Sequence, residues 1–471
     1  MKSKFLYSLI GFLLLLSCKG PKTKVQTNPD MFTGAKGEVK LITLDPGHFH
    51  AALVQKIMYG TVDPVVYVYA PEGTDVREHL GRINGFNTRL ENPTSWIEKV
   101  YTGPDFLDKM LKEKAGNVVV VSGNNARKTE YILAAVKAGF NVLADKPMVI
   151  SPEGFPLLEE AFKIATENGV LLYDIMTERY EITTILQREL SMIPEIFGGL
   201  VEGTADDPAI TKESVHHFFK YVSGNPLIRP AWFFDIRQQG EGIVDVTTHL
   251  VDLIQWEAFP DKILERRDVE MISARRWSTD LSPGQFSIVT GLDNYPEYLD
   301  EYIKDSMLQV YSNGEMIYKI RGIYAKVSVT WNYQAPEGTG DSHYSVMKGN
   351  RCHLIIRQGK EEKYKPVLYI ELPGEENAAT FQSDLTEKFK TIEARFPGVK
   401  LIKLNPQKWM VEIPDAYKVS HEDHFGQVTE NFLSYIKEGG LPEWEVPDMI
   451  IKYYTITRAY DMANFQAGNN L

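Results

Sequence analysis

The sequence predicts an α/β chain in two parts: an N-terminal doubly wound parallel sheet, then an α+β domain with an open, mainly antiparallel sheet. Three observations carry this. Short valine-rich apolar runs recur before residue 180, as suits strands buried on both faces of a parallel sheet. Helical patterns lie between the later runs. From Asp268 to Leu372 the runs instead alternate apolar and polar residues, the mark of strands with one covered face.

The elements follow in order. "VKLITL" ends at Leu44, followed by "PVVYVYA" (Pro64 to Ala70), "NVVVVSG" (Asn117 to Gly123), "FNVLADKP" (Phe140 to Pro147) and "VLLYDI". "ARKTEYILAAVKAG" places Tyr131, Ala134, Ala135 and Ala138 on one helical face, with Gly139 as its stop. "SPEGFPLLEEAFKIATENGV" predicts a helix capped by Ser151, with Pro152 just inside and Asn168-Gly169 at its end. In the second half, "VEMISARRW", "FSIVTGL", "MLQVYSNGEMIYKI", "IYAKVSVTWNY", "CHLIIRQG" and "PVLYIEL" read as strands, and two helices close the chain. Residues 375–420 add a helix and a strand of no assigned place.

At 471 residues and 43 % hydrophobic composition the chain is long enough for more than one core. A net charge of −12 argues against nucleic acid as partner. Lys2 and Lys4 precede an apolar run from Phe5 to Leu16, too short to span a bilayer and of the form of a secretory signal. It ends "LLSC", which resembles the bacterial lipoprotein signal, with Cys18 as the lipidated residue; an ordinary cleaved signal is the alternative. Residues 1–17 would then be removed and 18–37 form a tether. The expected place is the bacterial cell envelope, facing the periplasm, with the lipid as the membrane contact. Lipidation leaves Cys352 as the one remaining cysteine, so no intrachain disulfide is expected.

The loop after the first strand, "LDPGHFHAAL", raises a choice. A dinucleotide turn should read G-x-G-x-x-G; here Asp45, Gly47 and His50 hold those positions. His48 and His50 also form a His-x-His at a strand end, as in metal-dependent hydrolases. The loop alone leaves both open. "NVVVVSGNNARKTEYILAAVKAGFNVLADKPMVISPEG" resembles the Gfo/Idh/MocA oxidoreductases: Asp145-Lys146-Pro147 matches the family's Glu-Lys-Pro, and Ser122, Asn124 and Asn125 fall at its Thr-Pro-Asn loop, with Gly123 for Pro and Arg127 for His. About 100 residues on, "GEGIVDVTTHLVDLIQW" resembles the family's D-x-G-x-H-x-x-D, with Asp245, His249 and Asp252 on one helical face.

That resemblance implies a Rossmann dinucleotide domain over residues 38–178, a substrate and oligomerisation domain over 179–425, and closing helices over 426–471. It makes "DPGHFH" a degenerate dinucleotide turn and no metal site is expected. Gly47, His48, Phe49, His50, Ser122, Asn124, Asn125, Asp145, Lys146 and Arg179 become the expected cofactor contacts. Glu72 is the displaced ribose acid; NAD is preferred over NADP. His216 and His217 lack a third ligand at metal spacing.

The implied chemistry is oxidation of a sugar or glycoside hydroxyl, with C3 a candidate carbon. His249 is the general base, since an ordinary imidazole titrates near neutrality. Asp245 holds the substrate or orients the imidazole, Lys146 stabilises charge on the reacting oxygen, and hydride passes to the nicotinamide. Tyr180, Trp232, Asp245 and His343, with Asp341 nearby, are expected at the carbohydrate. Outside the cytoplasm the cofactor must stay tightly bound and be recycled on the enzyme, a homo-oligomer by the same resemblance. Two alternatives remain: an NAD-dependent glycosidase using transient oxidation, and a sugar-binding lipoprotein without cofactor, motivated by Asp45 and His50 in the turn.

Overall fold

The computed structural model describes residues 32–222, 225–337, 339–374 and 378–468; the leader and Cys18 lie outside them. Six strands form the first sheet: β1 (Leu41–Leu44), β2 (Val65–Ala70), β3 (Ile97–Thr102), β4 (Val118–Val121), β5 (Asn141–Asp145) and β6 (Leu172–Ile175). Their order is β3-β2-β1-β4-β5-β6, all parallel, the doubly wound arrangement expected. Ile42, Leu44, Val66, Val118, Val119 and Val142 are wholly buried, each worth about 1.5–3 kcal/mol of apolar burial. β3 and the helix Thr74–Thr88 carry too few apolar positions to stand out in the sequence. The helix expected from Ser151 starts at Phe155 and ends at Gly169, whose φ of 64° suits glycine as a left-handed stop.

The second sheet runs, edge to edge, Val269–Leu281, Met307–Ile320, Ile323–Gln334, Ile210–Phe219, Ser342–Lys348, His353–Gln358, Val367–Glu371, Lys408–Glu412 and Lys400–Asn405. Neighbours are antiparallel except Ile210–Phe219 against Ile323–Gln334. Residues 400–412 thus complete this sheet. "FSIVTGL" is not a strand: Pro283–Thr290 is helical, because Ser282 and Gln285 form a reciprocal capping box with Pro283 in the first turn. Local capping outweighs β propensity there. Cys352 is wholly buried and free; burial pushes its thiol up to about 12.

The helices Ile182–Ser191 and Thr247–Ala258 cover one face of the second sheet. On that face the buried Lys212 donates to Glu257 at 2.8 Å and to Ser345 Oγ at 2.8 Å, and Ser345 donates to Gln187 at 2.8 Å. A larger charge network joins the halves. Lys452, in the last helix (Glu445–Gly468), lies 2.6 Å from Asp174 of β6 and 2.8 Å from Asp252. Arg179 grips Asp252 through two bonds of 2.7 Å and reaches Glu445 at 2.7 Å. Burial opposes the charge on Asp252, but Arg179 and Lys452 outweigh it and hold its carboxyl below the usual range.

Such a network is costly to break, because the group left behind is a buried, uncompensated charge. Lys452→Met should lower unfolding stability by about 3–5 kcal/mol, read as a fall in the urea midpoint; a shift under 1 kcal/mol would show that Asp174 and Asp252 rely on other partners.

Candidate active site

The carboxyl ends of β1, β4 and β5 converge. Asp145 closes β5 with its carboxylate almost wholly buried. Its Oδ2 accepts from Ser122 Oγ at 2.9 Å and lies 3.0 Å from His50 Nδ1 and 3.6 Å from His48 Nδ1. The Phe49 ring packs against both histidine rings, at 4.7 and 4.4 Å, and Phe425 packs on His50 at 4.4 Å. Burial resists ionisation of Asp145, yet His50, Lys128 and His48 hold its carboxyl well below the usual range. Burial also pushes His48 and His50 down, against the attraction of Asp145. Lys128 is wholly buried and donates to the Asp145 carbonyl at 3.0 Å; burial brings its ammonium down to about 8.

The next residue, Lys146, points to the second domain. Its Nζ donates to Asp245 Oδ1 at 2.6 Å, and Gln239 donates to Asp245 Oδ2 at 3.0 Å. Asp245 lies two residues before the helix Thr247–Ala258, whose first turn carries His249. His249 Nδ1 is buried with no hydrogen-bond partner. Burial first, then the Lys146 charge, holds this imidazole well below its ordinary value. Lys146 thus pairs with Asp245, and its charge acts on the His249 imidazole. Asp252 does not join them: it is bound by Arg179 and Lys452.

The turn after β1 departs from expectation. A dinucleotide turn offers free amides and a glycine face to a diphosphate. Here the Gly47 and His48 amides both donate to the Ser122 carbonyl, at 3.3 and 3.4 Å, and the His50 amide to His48 Nδ1. The open side of Gly47 is covered: a Cβ there would lie 2.8 Å from Asp75 Oδ2 and 3.3 Å from Trp232. Trp232 Nε1 donates to that same Asp75 oxygen at 2.9 Å. Asp45, at φ 46°, accepts from Tyr131, and the helix that follows is one turn, His50–Leu53. Engaged amides and two nearby carboxylates do not fit a diphosphate. The Gly47, His48 and His50 amides, expected at the diphosphate, are thus turned inward in this structure.

Other expected contacts are employed elsewhere. Asn124 Nδ2 donates to Gln238 at 2.6 Å and Asn125 Nδ2 to the Gln239 carbonyl at 2.8 Å, docking the two domains. Arg179 is committed to Asp252 and Glu445. Tyr180 packs against the core beside Tyr435 of the helix His421–Glu438. Glu72 is exposed. Trp232 covers the turn. His343 pairs with Ser214 on the sheet face of Lys212 and Ser345, and burial pushes it down to about 3. Asp341 binds His217 at 2.9 Å and Lys220 at 3.0 Å. The motifs missed Lys128, Asp75, Gln239 and His421, whose ring lies 5.6 Å from that of His50. A lysine at the start of a buried helix was the one available signal.

Residues 82–174 match a family model described as "Oxidoreductase family, NAD-binding Rossmann fold", and residues 186–464 match a "Putative oxidoreductase C terminal domain". The first match begins beyond β1 and its turn. No curated protein matches the chain. The chain is 59 % identical to a "putative oxidoreductase" of Parabacteroides merdae, whose crystal structure superposes with a TM-score of 0.92, covering 93 % of this chain and 100 % of that one. At 11 % identity and a TM-score of 0.57 it resembles levoglucosan dehydrogenase in complex with NADH, over 90 % of this chain and 97 % of that one. At 13 % and 0.54, with the same coverage, it resembles a 3-ketoreductase of Actinomadura kijaniata in complex with NADP. These two distant likenesses concern the fold. With its doubly wound domain, its antiparallel second sheet and the Asp145-Lys146-Pro147 and Asp245/His249 signatures between them, the chain belongs to the Gfo/Idh/MocA oxidoreductase family.

Proposed function

We propose that this oxidoreductase acts on a hydroxyl of a carbohydrate, at a site made by Lys146, Asp245 and His249. The observation that carries the reading is the 2.6 Å contact of Lys146 with Asp245 across the domain boundary, beside the unpartnered His249 Nδ1. A neutral, buried imidazole accepts a hydroxyl proton, and the ammonium of Lys146 offsets negative charge on that oxygen. Asp245, held by Gln239 as well, keeps Lys146 aimed. A small cavity lined by Phe218, Phe233, Gln239, Asp245, Tyr311 and Trp331 adjoins Asp245 on the side of the second sheet. The sugar-dehydrogenase neighbours support the same substrate class.

The redox half rests on family membership, since the turn after β1 does not fit a diphosphate. That observation favours one second reading, a carbohydrate-binding protein without nucleotide. Mass identification of whatever nucleotide the purified, denatured chain releases separates them. Near-stoichiometric NAD or NADP supports the oxidoreductase. An empty protein that binds sugars but not added NAD(P) leaves the binding reading. The cell-envelope placement through Cys18 belongs to this proposal too; among the described residues no helix is long and apolar enough to cross a membrane.

Two outcomes follow for His249. Its replacement by alanine should lower kcat by about 10²–10⁴-fold; unchanged turnover on an accepted substrate would remove it from the mechanism. Because burial and Lys146 lower its pKa, the imidazole stays neutral below pH 6.5, its ordinary value. The acid limb of the rate should therefore lie well below that ordinary value. Lys146→Met removes a positive neighbour and should raise the His249 pKa, followed by NMR of the ring protons.

A further inference from the structure

The turn that does not fit a diphosphate brings together a different set of groups. His48 and His50, two residues apart across Phe49, turn their rings to the same side, with centroids 4.0 Å apart. With Asp145, 95 residues on in the chain, they place three ligand atoms within 4.8 Å of one another. We propose that His48, His50 and Asp145 form a binding site for a divalent first-row transition ion, zinc in the first instance.

The chemistry fits on several counts. Zinc takes imidazole nitrogen and carboxylate oxygen at about 2.0–2.2 Å, so ligand atoms a little over 3 Å apart surround one ion. The distances of 3.0 and 3.6 Å from Asp145 Oδ2 to the two Nδ1 atoms meet that need. His48 Nδ1 accepts a long bond from the His50 amide at 3.4 Å, so this nitrogen carries no proton, and an ion would take its lone pair in place of that amide. Ser122 donates to Asp145 at 2.9 Å and orients the carboxylate from outside. Phe49 and Phe425 wall the rings and fix their planes.

The neighbouring cations do not displace the ion, because each has its own acceptor. Lys128 bonds the Asp145 main-chain carbonyl, not the carboxylate, and Lys146 bonds Asp245. Two imidazoles and one carboxylate select a borderline ion over calcium or magnesium, which demand oxygen cages. Three protein ligands also leave a coordination position open. If the site acts on carbohydrate as proposed above, that position accepts a hydroxyl oxygen next to Lys146; the ion site itself does not depend on that reading.

The test uses the purified chain, stripped with chelator and titrated with Zn²⁺ or Co²⁺ alone, without sugar or nucleotide. Calorimetry and elemental analysis should give one ion per chain. His48→Ala and His50→Ala should each weaken binding by more than about 100-fold, and Ser122→Ala by about 10–100-fold as an outer partner. Co²⁺ should shift the ring-proton resonances of His48 and His50 in the unmutated chain and leave His353, on the second sheet, in place. That readout stands even where a variant fails to fold. Failure to bind near one equivalent, or full binding by both alanine variants, overturns the proposal. Shifts at His353 in place of His48 and His50 overturn it equally. None of these outcomes bears on carbohydrate turnover, which is measured separately.

Discussion

Five buried charges set the frame on which the rest of this molecule is hung. Asp174 at the end of β6, Arg179 just after it, Asp252 in the helix beneath the second sheet, and Glu445 and Lys452 in the last helix pair with one another in a water-poor interior, three carboxyls around two cations. A charge placed there alone would be untenable, so each element must arrive in register with the others. The network therefore fixes the angle at which the helix Thr247–Ala258 crosses the sheet. His249 sits one helical turn before Asp252, and its position is inherited from that clamp.

The strand ends show an inverted distribution of charge. Around the glycine turn stand carboxylates, Asp45 and Asp75, each made harder to ionise chiefly by its own burial. At the end of β5 stand two lysines, Lys128 and Lys146, and between the two groups lies the triangle of His48, His50 and Asp145. A chain that needed its turn amides for an anion would not fold them onto the Ser122 carbonyl, nor seat a tryptophan-bound carboxylate over Gly47. The fold is that of the family; at this one corner the turn amides face inward and two carboxylates stand beside the glycine.

Much of the fold was legible because a parallel sheet buries both faces of its strands. The runs around Val118–Val121 and Asn141–Asp145 announce themselves by composition. β3, with its exposed Ile97 and Val100, does not. The strand expected around Phe286 was misread because propensity was weighed and the Ser282 to Gln285 cap was not. Lys146, Asp245 and His249 were found because each sits in a motif. The partners of Arg179, Asp252 and Tyr180 could not be read locally: what they contact, Glu445, Lys452 and the helix of Tyr435, lies up to 266 residues away in the chain and leaves no local trace. The His48, His50 and Asp145 grouping is of the same kind, half visible as His-x-His and completed by a distant strand end.

Cys352 gives the molecule a property unrelated to its site. Its sulfur is wholly enclosed and its thiol is driven far from ionisation by burial, so reagents that need a thiolate find nothing to attack while the fold holds. In the protein without residues 1–18, modification by such a reagent then reports the opening of the turn that joins Ser342–Lys348 to His353–Gln358. The native chain carries its own clock for that event, and a cysteine introduced on the surface can be labelled without disturbing it.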